Sequence, residues 1–104
     1  MSRVVVILED GTKLGIARAV GPGTNTTVAA GSSGTVTLSY QIGELGEILD
    51  ALAVKNISGL PDGVAIEGVS VDRAGVTLKV RNTTGGDITI TANSVAAEVL
   101  VRTL

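Results

Sequence analysis

Val76-Thr77-Leu78-Lys79-Val80-Arg81, followed by Asn82-Thr83-Thr84-Gly85-Gly86-Asp87 and then Ile88-Thr89-Ile90, decides the fold class. Val76, Leu78 and Val80 alternate with Thr77, Lys79 and Arg81. A two-residue period puts all apolar groups on one face of an extended strand and all polar groups on the other. The Asn-Thr-Thr-Gly-Gly run is turn chemistry: Asn and Thr side chains bond nearby backbone, and Gly supplies positive φ. Ile88 and Ile90 then resume the period.

The same grammar extends in both directions. Thr35 to Tyr40 alternates, with Val36, Leu38 and Tyr40 on one face. Val95, Ala97, Val99 and Val101 form a single row within 95–102. Between 64 and 71 the phase changes: Val64 and Ile66 lie in one register, Val69 and Val71 in the other. A bulge at Gly68 would return all four to one face. Leu60-Pro61-Asp62-Gly63 and Asp72-Arg73-Ala74-Gly75 read as turns, as do Gly21-Pro22-Gly23-Thr24-Asn25 and Gly31-Ser32-Ser33-Gly34. Asp10-Gly11 reads as the tip of a hairpin joining 3–8 to 13–20. In that hairpin Leu14 and Ile16 set the apolar phase. Arg18 falls in the same phase, which predicts a bulge or an edge position there.

Residues 41–52 depart from the pattern. Ile42, Leu45, Leu49 and Leu52 recur at three- and four-residue intervals, and Glu44, Glu47 and Asp50 share another face. This stripe predicts one short helix near 44–51. Gly43 and Gly46 weaken it by about 1 kcal/mol each relative to Ala, leaving an irregular crossover that buries the leucines as the alternative. The expectation is a single domain over 1–104, an all-β antiparallel sandwich or jelly roll of about eight strands with that helix.

Composition narrows the chemistry. The chain has 104 residues, 44% of them apolar, with no Cys, His, Trp or Phe and one Tyr. Without Cys there is no disulfide or thiolate, and without His the commonest general base and imidazole ligand are missing. Ser32 and Ser33 have no activating histidine. Asp62, Asp72 and Asp87 stand singly beside turns rather than densely, as a Ca²⁺ loop requires. No catalytic, cofactor-binding or metal-ligating set is expected, and the protein is not expected to be an enzyme. The net charge of −2 offers no footprint for nucleic acid. With Tyr40 alone, sugar stacking and base stacking both lack a platform. No run reaches the roughly 18 apolar residues of a membrane helix. The N-terminal run reads as a strand rather than a signal peptide, which predicts cytoplasmic synthesis without export. The Asn-X-Thr/Ser triplets at Asn25, Asn56 and Asn82 then read as turns, not glycosylation acceptors.

The passages Leu60-Pro61-Asp62-Gly63-Val64 and 76–90 resemble the small jelly-roll structural proteins of tailed phages and related viruses. That resemblance covers about half the chain. It implies a virion location and a decoration, cement or minor capsid role, with a trimer and a major capsid protein as partners. One feature of the residues points the same way. Val4 to Leu8 is apolar in both phases, and Ala96, Leu100 and Leu104 oppose the valine row of the last strand. A strand apolar on both faces needs a cover on both. With the even positions Val4, Val6 and Leu8 toward the core, Val5 and Ile7 face outward, so Val5, Ile7, Ala96, Leu100 and Leu104 are the expected contact between copies. A binding module of the adhesin or receptor-binding kind, glycan-directed or otherwise, is the alternative function.

Overall fold

The computed structural model describes residues 2–41, 43 and 45–104. It is all-β, with nine antiparallel strands: β1 (Arg3–Ile7), β2 (Lys13–Gly21), β3 (Thr26–Val28), β4 (Ser33–Gln41), β5 (Ile48–Ser58), β6 (Val64–Val71), β7 (Gly75–Asn82), β8 (Ile88–Ile90) and β9 (Val95–Thr103). The main sheet runs β5-β9-β2-β4-β7-β6, with β1 also on β2, and β3 pairs β8 separately. The molecule is elongated, 53 × 20 × 17 Å.

The sheet doubles over at one corner. β2 pairs β9 along its whole length, from Lys13↔Thr103 to Gly21↔Val95. On its other edge it holds β1 through Lys13–Ile16 and β4 only through Arg18–Val20. Beyond Ser39, β4 turns away to pair β7. Two layers result, β1-β2-β9-β5 and β4-β7-β6. Ser2 sits buried in the fork, its hydroxyl donating to Gln41 O and accepting the Arg18 N–H at 2.9 Å.

One aliphatic core lies between the layers. Val95, Ala97, Val99 and Val101 of β9, Ala17 and Ala19 of β2, Val36 and Leu38 of β4, and Val76, Leu78 and Val80 of β7 are almost wholly buried in one cluster. Truncating Leu38 or Leu78 to Ala would cost about 2–5 kcal/mol. The bulge expected at Gly68 is present, shifting register between Ile66 and Gly68. It brings Val64, Ile66, Val69 and Val71 opposite Asn82, Val80, Leu78 and Val76 of β7.

Three readings need correction. There is no helix near 44–51: 45–47 is irregular and β5 begins at Ile48 (Ile42 and Glu44 lie outside the described residues). The stripe does not share a face, since Leu45 is buried while Leu52 is 53% exposed. Gly46 is needed for approach rather than freedom, because a Cβ there would lie 2.3 Å from Leu104 O. The crossover buries Leu45 against the end of β2, near Gly15.

The second correction concerns β2. Its core phase is Gly15, Ala17, Ala19 and Gly21, the small residues. Leu14, Ile16, Arg18 and Val20 occupy the outer face. Arg18 therefore marks neither a bulge nor an edge. Third, β1 does not keep its even positions inward. A register shift between Val4 and Val6 leaves Val4 packed on the core and Val6 beside outer-face Leu14.

Candidate functional site

The five residues expected at a contact fall in two places. Val5 (58% exposed) and Ile7 (66%) lie on β1, and Leu104 (55%) follows β9. Ile7 pairs Lys13, which pairs Thr103, so Ile7 and Leu104 share one end of the layer. Val6, 45% exposed, adds to this rim. Ala96 and Leu100 are elsewhere, half-buried on the outer face and interleaved with Glu98 and Arg102.

That outer face is ordered by register, because directly paired residues project to the same side. One row reads Val6, Leu14, Arg102, Asp50, and the next Arg3, Ile16, Leu100, Ala53. A third reads Gln41, Arg18, Glu98, Lys55, and a fourth Ser39, Val20, Ala96, Ser58. The apolar members Leu14, Ile16 and Leu100 are covered or flanked by long charged neighbours, whose alkyl stems can shield them. Arg102 and Asp50 form an ion pair, Nη2 to Oδ2 at 2.6 Å and Nε to the same oxygen at 2.8 Å.

The third row behaves differently. Arg18 and Glu98 are cross-strand neighbours, yet the carboxylate of Glu98 is taken by Asn56, whose Nδ2 donates to Oε1 at 2.7 Å. This bond, aided by Lys55 and Arg3, holds the Glu98 carboxyl below the usual range despite some desolvation. Asn56 reaches it from a left-handed backbone (φ 55°) in the irregular stretch between Lys55 and Ser58. Among the described residues, the Arg18 guanidinium has no ion pair or hydrogen bond. It borders two shallow grooves. One, about 370 Å³, is lined by Asn56, Ser58, Ala96 and Glu98. The other, about 480 Å³, is lined by Val20, Ser39, Tyr40, Gln41 and Asn93. Asn93 is the second non-glycine residue with positive φ, at 59°.

Charge is uneven over the molecule. The face of β1-β2-β9-β5 carries Arg3, Arg18, Lys55 and Arg102 against Asp50 and Glu98. Among the described residues it thus holds four of the eight cationic side chains but two of the nine carboxylates. An acidic chain presents a positive face.

The turn carboxylates serve backbone. Asp72 Oδ1 accepts from the N–H groups of Ala74 and Gly75 at 2.8 and 3.1 Å, and Asp87 Oδ1 from Ala30 N–H at 3.1 Å. Thr12 donates to Asp10 through both hydroxyl and N–H, which lowers the Asp10 pKa. No three His, Cys, Asp or Glu converge among the described residues to hold a metal. Ser33 donates to Glu67 Oε1 at 2.6 Å. Tyr40, in the phase of the buried Val36 and Leu38, is half-buried and donates to Asp72 O at 2.8 Å.

No protein family's sequence profile matches the chain, and no curated protein or solved structure is significantly similar to it.

Proposed function

We propose that the chain is a structural assembly subunit that works through protein–protein contacts made by its terminal strands, most simply as a decoration, cement or minor capsid protein of a virion. The supporting observation is the apolar rim of Val5, Val6, Ile7 and Leu104 at one end of the β1-β2-β9-β5 layer. Full burial of one such side chain is worth about 1.5–3 kcal/mol, and these four are roughly half exposed, so covering them contributes about 3–6 kcal/mol. Association costs at least about 4 kcal/mol, so one such contact is marginal alone. Closed symmetry, in which each subunit makes two contacts, overcomes that, and a trimer is the smallest ring of this kind. The viral setting rests on the resemblance of the 60–64 and 76–90 passages to phage jelly-roll proteins.

Native mass spectrometry and light scattering across a range of concentrations test this reading. Wild type should be oligomeric. Ile7→Glu and Leu104→Glu should give monomers that keep their β-sheet circular dichroism, because both positions lie outside the core. A wild type that stays monomeric throughout refutes the proposal. So does an oligomer indifferent to both glutamates.

A second reading, a binding module, is favoured by a different observation, the Arg18 guanidinium, which has no ion pair or hydrogen bond among the described residues and lies between two polar grooves.

A further inference from the structure

We propose that the shelf formed by the outer faces of β4, β2, β9 and β5 around Arg18 binds an acidic saccharide, with the Arg18 guanidinium holding a sugar carboxylate. This inference deepens the binding-module reading and is independent of the assembly reading.

The shelf is two adjacent rows. Gln41, Arg18, Glu98 and Lys55 form a wall of long polar side chains, and Ser39, Val20, Ala96 and Ser58 form a floor of short ones. Strands lie about 4.8 Å apart, so four of them offer a track of about 14 Å, enough for a short oligosaccharide. Arg18 and Lys55 are the two cations on this wall, and neither has a hydrogen bond or ion pair to its charged group among the described residues. The planar fork of Arg18 matches a carboxylate with two parallel bonds. The surrounding groups suit hydroxyls. Asn56, Asn93 and Gln41 carry amides that both donate and accept, Ser39 and Ser58 carry hydroxyls, and the second oxygen of Glu98 can accept.

The fold disfavours other anions. Across the middle of the shelf the backbone groups of β2 and β9 are spent in ladders on both sides, so an acidic peptide lying over Arg18 and Glu98 would find no backbone partner there. Tyr40 offers no stacking platform for either bases or sugar rings, its hydroxyl being bonded to Asp72 O; single-stranded nucleic acid relies on that stacking, whereas a uronate can be held through its carboxylate and hydroxyls alone. The face is positive while the rest of this acidic chain is strongly negative, which favours a short carboxylate ligand over a long polyanion.

The test is titration of the full chain with tetragalacturonate, followed by two-dimensional NMR of the side-chain amides and Arg Nε–H, at low salt. Saturable shifts are expected at Arg18, Asn56, Gln41 and Asn93. Arg18→Gln should weaken binding about tenfold or more, and Arg18→Lys by less, because charge survives but the fork does not. Arg81→Gln, on the other layer, should change nothing. The fully methyl-esterified tetramer, which keeps the hydroxyls and loses the charge, should bind at least about tenfold more weakly than the acid. Absence of saturable shifts at about 10 mM ligand overturns the proposal. So does binding insensitive to Arg18→Gln, or equal binding of tetraglutamate, which would make the shelf a general carboxylate site.

Discussion

Asn82 should be the most consequential polar residue in the protein. It ends the buried row Val76, Leu78, Val80 of β7 and is itself fully buried. Its amide donates to Val28 O at 2.9 Å and to Gly86 O at 2.8 Å. Its carbonyl accepts from Thr84 N–H at 2.9 Å and Thr84 Oγ1 at 2.7 Å. One side chain thus fastens β3 to β7 and shapes the turn into β8. Asn82→Ala would strand Val28 O inside the protein, at about 1–3 kcal/mol. It would also surrender three bonds whose partners can reach water, at about 0.5 kcal/mol each. The expected loss is about 3 kcal/mol. With a urea slope of about 1.2–1.5 kcal/mol per molar, the denaturation midpoint should fall by about 2 M. The melting temperature should fall by about 12–20 °C. Asn82→Asp separates donors from volume. It keeps the shape and the bonds from Thr84 but points a carboxylate at two carbonyl oxygens. At neutral pH it should be at least as unstable as the alanine variant, and it should recover as acid protonates the group. A midpoint shift under about 0.5 M for the alanine variant would refute the reasoning.

Glycine substitutions should rank against side-chain size. Gly11 has φ +85° with open space around its Cβ direction, so Gly11→Val should cost about 1 kcal/mol or more through backbone strain alone. Gly21→Ala should cost more than that, because its Cβ would lie 2.1 Å from Thr37 O where β2 crosses β4, and urea midpoints in the reverse order would contradict this account. Desolvation, followed by the charge of Asp72, raises the Tyr40 pKa to about 12. The unfolded chain, with Tyr near 10, therefore loses its proton first. The stability this contributes is full below pH about 10 and disappears as pH rises through about 12. Wild type should lose more stability than Tyr40→Phe across that window, and parallel profiles for the two proteins would show that the hydroxyl is not held as described. Thermal melts with and without excess EDTA should coincide, since the Asp side chains in the turns at 10, 72 and 87 are bonded to backbone N–H groups; a drop of several degrees would reveal a bound cation.

The strands were legible wherever one face meets the core and the other meets water. β4, β7, β8 and β9 follow the two-residue period, and the Gly68 bulge follows from the phase change around it. The two-residue period misleads at β2 for a physical reason. A strand wedged between β1, β4 and β9 at the fold's corner must let backbones approach, so its inward phase is Gly15, Ala17, Ala19 and Gly21 and its larger aliphatics go outward. Assigning the bulky phase to the core reversed the strand and turned Arg18 into an anomaly. In the actual register Arg18 is an outer-face residue like any other. The stripe around 45–47 misled because its members belong to different elements: Leu45 is buried in the crossover, while Leu49 and Leu52 lie in the extended strand β5.

By itself the sequence determined the all-β class, most turns, the valine row of β9 and the absence of thiol and imidazole chemistry, because each depends on residue type or on neighbours within a few positions. The tertiary structure alone decided which phase of β2 faces inward, how Asn82 joins β3 to β7, and that Arg18, Glu98 and Asn56 meet on one shelf. Those outcomes depend on pairing between strands as distant as β2 and β9. Register across such separations is fixed by packing and backbone approach rather than by any local pattern.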